Sequence, residues 1–305
     1  MLNKNRFLAL KRFNDNKLMI TLGIGIFLIF FSVFVIYPLI FSIIASFSKW
    51  DPFQNTIDFI GLNNYIRAFS DKLVWRAILN TFYFASVAVI FRIIFGLFLA
   101  VVIFSIKRFS SFFKTIFFLP TVVPLFATAV VWKWLYDPGD GIFNLILGFF
   151  GLPHMLFMLS DTQSMPSIIF MTIWKDFGFS MILFLAGLST IPKTYLEAAE
   201  IDGASKIKIF WHIQLPLLKP TMVFVTVISM ISYLQIFLQV FIMSSKGGGS
   251  MGLPDSTMTI AYRIYEQAFK RNDFGYATSI AVILFLIILI FSLVQIRLMR
   301  INWRY

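Results

Sequence analysis

The chain has 305 residues, 59% of them hydrophobic and 13% charged, with a mean hydropathy of +0.85 and a formal net charge of +12. Soluble domains keep about a quarter of their residues charged, so these values exclude a water-covered globule and predict an all-α protein that crosses a bilayer several times. The chain has no cysteine, which excludes disulfides, thiolate metal sites and cysteine nucleophiles, and its two histidines, His154 and His212, are too few and too far apart for a zinc centre.

The chain opens on a basic segment, 1–17, with Lys4, Arg6, Lys11, Arg12 and Lys17. The apolar run behind it is too long for a cleavable leader, and no small-x-small site follows it closely, so 18–47 is read as a retained first span. Five more stretches reach the roughly 20 apolar residues that a helix needs to cross a core of about 30 Å. They are Asn80–Ser105, Phe112–Tyr136, Pro166–Leu188, Thr221–Met243 and Tyr276–Met299. In the loop 48–79, "IGLNNYIRAF" spaces Leu62, Tyr65, Ile66 and Phe69 along one helical face. That spacing predicts a short helix lying flat on the membrane surface, either as a packed lid or as a docking element. Pro120 and Pro124 interrupt the third span, Lys133 near its end is expected to snorkel, and Lys175-Asp176 is a polar spot in the fourth.

Lysine and arginine fall in the N-terminal segment, in the turn with Lys107, Arg108 and Lys114, in 193–220, and at the C-terminal end with Arg297, Arg300 and Arg304. Six spans put these segments on one side, read as the cytoplasm, with both termini there and a short tail at 300–305. Loop 137–165, on the other side, has no Lys or Arg. Anchoring thus accounts for the positive charge, and no nucleic-acid partner is predicted. "SSKGGGSMGLPDS", 244–256, lacks the Gly-Lys-Ser/Thr ending of a phosphate-binding loop and is read as a connection between spans. The chain therefore shows no ATP site of its own.

The segment "EAAEIDGASKIKIFWHIQLPLLKP", 197–220, holds Glu197, Glu200, Asp202, Lys206, Lys208, His212 and Lys219. A charge at the centre of a membrane helix costs about 2.5–3.5 kcal/mol on insertion scales, so this segment lies outside the bilayer. Thr194 as N-cap with Glu197 at the third helical position predicts a capping box. Gly203 then breaks the helix in a left-handed turn, Ser205 caps a second helix with an apolar side at Ile209, Phe210 and Ile213, and Pro216 ends it. The prediction is a stiff helix–Gly–helix elbow over 193–220.

Glu197-Ala198-Ala199, Gly203, Ile213 and Leu215-Pro216 stand in the spacing of the EAA–G–I-LP signature, and the chain resembles the permeases of binding-protein-dependent ABC importers. "GLNNY", "PTVVPLFATAVVWKWLYDPGDGIFN", "WKDFGFSMILFLAGLSTIPKTYLEAAEIDGA" and "FGYATSIAV" extend the likeness to the carbohydrate type I branch, in particular to the first permease of maltose- and glycerol-phosphate-type systems. The tract after the fifth span departs from the family pattern, with Leu238 at an acidic place and Phe241 at a tyrosine. The resemblance implies a type I importer transmembrane domain in a bacterial or archaeal cytoplasmic membrane. It implies a second permease subunit, a pair of ATPase subunits that carry ATP and magnesium, an extracytoplasmic solute-binding protein, and a sugar as cargo. It assigns ATPase coupling to Glu197, Ala198, Ala199, Asp202, Gly203, Ile213, Leu215 and Pro216, for each of which an internal capping or packing role is the alternative.

The substrate path is read from polar and aromatic groups within the spans, since buried polar groups there are costly. Ser232, Gln235 and Gln239 share a face if the fifth span is one helix, with Tyr233 beside them. They suit sugar hydroxyls, or else hold the bundle by interhelical hydrogen bonds. Trp174 and Phe177 either stack on sugar rings or pack. Arg92, mid-span, either meets an anionic substrate, pairs with a carbonyl or carboxylate, or reaches an interface. Rival readings are a type I permease for a non-sugar solute, a secondary transporter and an intramembrane enzyme. The chain shows neither the repeated halves and carboxylate cluster of the second rival nor the convergent nucleophile and base of the third.

Overall fold

The structure, a computed structural model, describes residues 21, 23–106, 108–244 and 256–298. The basic segment 1–17, the start of the first span, Lys107, nearly all of the 244–256 tract, Met299 and the 300–305 tail lie outside the described residues. Among the described residues four helices are long and apolar enough to cross a membrane, and the spans number six if each of two sharply bent pairs counts as one.

Helix α1 (Gly23–Ser46) is largely exposed, with Phe41 and Ser42 half-buried and Ala45 and Ser46 buried at its end. Phe30 and Phe34 are among its exposed side chains, as apolar residues of a membrane span commonly are. The chain then forms an antiparallel hairpin, β1 (Ser48–Asp51) with β2 (Thr56–Phe59), paired from Ser48↔Phe59 to Asp51↔Thr56. The sequence reading did not foresee it; four-residue strands are too short to show alternation. Asp51 holds the turn by accepting from the N–H groups of Phe53 at 2.9 Å and Gln54 at 3.2 Å.

Helix α2 (Asn63–Ser70) confirms the short helix but divides its expected face. Tyr65 turns inward to the Ser46 hydroxyl at 2.6 Å, and Asn64 donates to the carbonyls of Ser46 and Ser48 at 3.0 Å. Leu62, Ile66 and Phe69 stay exposed. Asp71 caps α3 (Lys72–Ser105), accepting from Leu73 N–H at 2.8 Å, so this helix begins eight residues before the predicted Asn80. Its 34 residues rise about 51 Å, more than the roughly 30 Å core.

The predicted third span is two helices, α4 (Ser110–Val122) and α5 (Leu125–Leu135), bent by 93°. Pro124 has no N–H to give, and Val123 before it is extended at ψ 134°, the conformation a following proline imposes. Helices α6 (Ile142–Phe149) and α7 (Ser164–Ser189) follow, and α7 is the most enclosed span. After it come α8 (Lys193–Ile201), α9 (Lys206–Leu217) and α10 (Lys219–Leu234), with a 64° bend between α9 and α10. The predicted fifth span also breaks: α10 stops at Leu234 and α11 (Leu238–Ser244) starts afresh. Helix α12 (Ile260–Tyr265), prolonged by a π turn at Glu266–Lys270, leads to α13 (Phe274–Leu298).

One core cluster gathers Phe84, Trp132, Ile168, Tyr233, Tyr262 and Ile280 from α3, α5, α7, α10, α12 and α13. A second, around Ala100, Met181, Phe184, Leu188 and Leu218, lies where α7 meets the elbow.

Candidate functional site: an elbow and a buried polar seam

The elbow is present, with its local chemistry partly rearranged. Helix α8 starts at Pro192, whose extended ψ of 129° serves as the N-cap, and no side chain caps it. Thr194 and Glu197 therefore lie inside the first turns, and the expected capping box does not form. The other end follows expectation. Gly203 sits at φ +75°, its N–H donates to Glu200 O at 3.1 Å, and Ala204 N–H reaches Ala199 O at 2.9 Å. These two bonds are the Schellman pair that satisfies otherwise orphaned carbonyls, and Asp202 is the C-cap residue. Ser205 Oγ accepts from Lys208 N–H at 3.4 Å and opens α9. Pro216 does not end that helix. A π turn over Phe210–Gln214 pairs Leu215 N–H with Phe210 O, and the helix runs through Pro216 to Leu217. The widened turn just ahead of the proline shifts the pairing, so the missing N–H is tolerated.

The elbow is fastened chiefly by Leu196, Ile209 and Leu218. Glu197, Ala198, Asp202, Gly203 and Pro216 are exposed, while Ala199, Ile213 and Leu215 are half-buried. Beside them Ile201, Ile207 and Trp211 are 86%, 73% and 59% exposed. The sequence reading named none of these three as a contact. The available signal was apolar side chains in a segment too charged to enter lipid.

Within the spans, Arg92 is buried. Its Nε donates to Ser180 Oγ at 2.6 Å, its Nη1 makes a longer contact to Tyr233 OH at 3.4 Å, and that hydroxyl donates to Asp176 Oδ2 at 3.0 Å. Arg92 thus binds two hydroxyls in place of the expected carbonyl or carboxylate, joining α3, α7 and α10. Next to Asp176, Lys175 Nζ donates to Thr121 O at 3.0 Å, with a longer contact to Pro120 O at 3.4 Å.

The structure does not gather the seven path residues on one open surface. Arg92 and Tyr233, 6% and 2% exposed, are consumed in the seam and are not open to a solute in this state. Ser232 and Gln235 are exposed, and Phe177 and Gln239 are half-buried. Because α10 ends at Leu234, the helical face predicted for Ser232, Gln235 and Gln239 does not exist; Gln235 is the C-cap, with φ −100° and ψ 17°. Trp174 belongs to an aromatic group, its ring 5.1 Å from that of Trp132.

At the hairpin end, buried Arg263 binds Asp71 Oδ2 at 2.8 Å and Glu266 Oε2 at 2.6 Å, and Tyr276 OH donates to Asp71 at 2.9 Å. Burial alone would push the Asp71 carboxyl up, but donors from Arg263, Leu73 N–H and Tyr276 outweigh it and hold the carboxyl below its usual range. Burial likewise opposes charge on Arg263, and its two carboxylate partners more than restore it.

Known proteins are similar to this chain in sequence and in fold. Residues 92–300 match the family described as binding-protein-dependent transport system inner membrane component. A probable ABC transporter permease protein of Bacillus subtilis, YurN, is 30% identical over 94% of this chain and 98% of its own length. The arabinooligosaccharides transport system permease protein AraP of Halalkalibacterium halodurans is 31% identical over 94% of this chain and 89% of its own. A solved chain from a bacterial ABC transporter involved in the import of the acidic polysaccharide alginate superposes with a TM-score of 0.83 at 22% identity, covering 97% of this chain and 100% of that one. With the elbow signature in register and relatives matched along nearly its whole length, the chain belongs to the binding-protein-dependent transport system inner membrane components, the membrane-embedded permeases of ABC transporters.

Proposed function

We propose that this permease forms half of the path of an ATP-driven carbohydrate importer in a bacterial or archaeal cytoplasmic membrane, with the elbow and both chain termini on the cytoplasmic side. A second permease supplies the other half. Two ATPase subunits bind ATP and magnesium, and an extracytoplasmic binding protein delivers the sugar. The observation that carries the reading is the elbow: a hydrogen-bonded Gly203 turn holding exposed Ile201, Ile207 and Trp211 beside the bundle. Exposed apolar side chains outside lipid call for a protein partner. A partner groove that closes on them transmits its displacement because the turn is stiff. Binding that differs between the two nucleotide states of the ATPase then drives the bundle between two orientations.

Carbohydrate as cargo is supported by the relative named for arabinooligosaccharides and by the exposed hydroxyl and amide of Ser232 and Gln235. The test reconstitutes the complex with its binding protein in vesicles and measures ATP hydrolysis and uptake with neutral and acidic oligosaccharides, amino acids and peptides. Sugar-stimulated hydrolysis with matched uptake supports the reading. Stimulation by amino acids or peptides alone transfers the chain to the non-sugar permeases, and uptake driven by an ion gradient without ATP overturns coupling altogether.

A further inference from the structure

The bend between α4 and α5 leaves a chemical problem inside the membrane. The last four carbonyls at the end of α4, residues 120–123, have no intrahelical donor by position, and lipid supplies none. Pro124 deepens it, since position 124 is where the N–H for Pro120 O would come from. Lys175 answers from the next span. Its buried ammonium donates to Thr121 O at 3.0 Å and leans on Pro120 O at 3.4 Å, and Thr121 Oγ1 donates back to Lys175 O at 3.0 Å. The cation also sits at the C-terminal, negative end of the α4 dipole. Three residues on, Gly178 lets the α7 backbone touch the backbone of Phe117 and Phe118; a Cβ there would run into the Phe117 carbonyl. Asp176 next door is engaged by Tyr233 and leaves Lys175 to the carbonyls.

We propose that Lys175 is a positioning residue: with Thr121 and the Gly178 notch it locks the bent pair α4/α5 to α7, so that the three helices move as one body. The C-terminal end of α7 leads through Ser189 and Ile191 directly into the elbow at Lys193. A displacement of the elbow therefore reaches α4 and α5 across only the three-residue turn 190–192 and the joint.

The chain has no cysteine, so labels can be placed at will. Spin labels at Ala186→Cys on α7 and Phe126→Cys on α5, both exposed positions, report the distance across the joint in the assembled transporter in lipid. In the parent this distance stays within about 2 Å between nucleotide-free and vanadate-trapped complexes, because a rigid body keeps its internal distances while it turns. Lys175→Met broadens the distribution without nucleotide and shifts it on trapping by about 5 Å, one helical turn, while Lys175→Arg keeps the parent pattern. A parent distance that itself moves by a turn overturns the proposal, as does a Lys175→Met distribution indistinguishable from the parent in both states. Should Lys175→Met fail to assemble, Thr121→Val decides: a broadened distribution supports the joint, and an unchanged one rejects it. The trapping arm rests on the proposed coupling to ATP, whereas the nucleotide-free arm does not. A second pair, Ala186→Cys with Phe285→Cys on α13, separates the two, since no movement there on trapping counts against coupling and leaves the joint to the nucleotide-free result.

Discussion

Replacing Gly203 by valine tests the elbow with a perturbation whose size follows from its geometry. The residue holds φ +75°, and a Cβ built there meets nothing within 4 Å. The cost is therefore conformational and not steric. A left-handed residue with a side chain costs about 1–2 kcal/mol, and a β-branched one falls at the upper end. At about 2 kcal/mol the population holding the turn falls roughly 30-fold relative to glycine. With it go the bonds from Gly203 N–H to Glu200 O and from Ala204 N–H to Ala199 O. Gly203 belongs to neither core cluster, so insertion and assembly persist. The assay is ATP hydrolysed per solute taken up by complexes of matched composition. Gly203→Val should raise that ratio by an order of magnitude, Gly203→Ala by only a few-fold, and Gly203→Asn hardly at all, because asparagine tolerates left-handed backbone. Equal coupling in all three, or loss that follows side-chain volume with asparagine as damaging as valine, would refute the conformational argument.

Other perturbations separate structure from transport. Tyr233→Phe removes the hydroxyl that contacts both Arg92 and Asp176; leaving those buried groups short of a partner should cost about 1–3 kcal/mol, read as a lower unfolding temperature in detergent. Gln235→Ala and Gln239→Ala should weaken uptake while the complex still assembles with its ATPase, and unchanged uptake kinetics in both would remove them from the path. Asp71 carries a depressed folded pKa, so its stabilisation is complete above the unfolded value of about 3.9 and disappears as pH falls through the folded one. Asp71→Asn should therefore lower stability at neutral pH and flatten the acid limb of a thermal-unfolding series below about pH 4; an acid limb as steep as the parent's would exclude that role. Gly178→Val should separate α7 from Phe117 and destabilise the bundle by about 1–3 kcal/mol, the usual cost of overpacking.

The spans were legible because lipid leaves a helix little freedom: a run such as Tyr276–Met299 has no polar alternative to crossing. The Gly203 turn was legible for a local reason, since its two bonds lie within six residues. What escaped was set by partners distant in sequence. Helix α3 starts at Lys72 because Asp71 caps it, and Asp71 is itself held by Arg263 and Tyr276 some two hundred residues later. Arg92 read alone left three roles open; only the fold brings Ser180 and Tyr233 to it. The face drawn through Ser232, Gln235 and Gln239 failed because hydropathy continues across a break in the backbone. Thr259 Oγ1 donates to Ile236 O at 3.0 Å there, so a side chain from another segment satisfies a carbonyl that the interrupted helix does not.

That last detail generalises within this chain. A span may be interrupted in lipid only where something else satisfies the freed backbone groups, so each interruption must be matched by a donor on a neighbour. Lys175 fills that role for Pro120 and Thr121 of α4, Thr259 for Ile236 beyond α10, and Lys133 Nζ lies 3.4 Å from Ile242 O near the end of α11. Two lysines that read in the sequence as an isolated polar spot and a snorkelling side chain are, in the fold, set against the carbonyl ends of broken helices. The charge of Lys175 is then part of the architecture and not evidence for an anionic cargo. An acidic solute would have to be recognised by groups the bundle leaves free, and among the path residues the exposed ones, Ser232, Gln235 and Trp174, carry no charge.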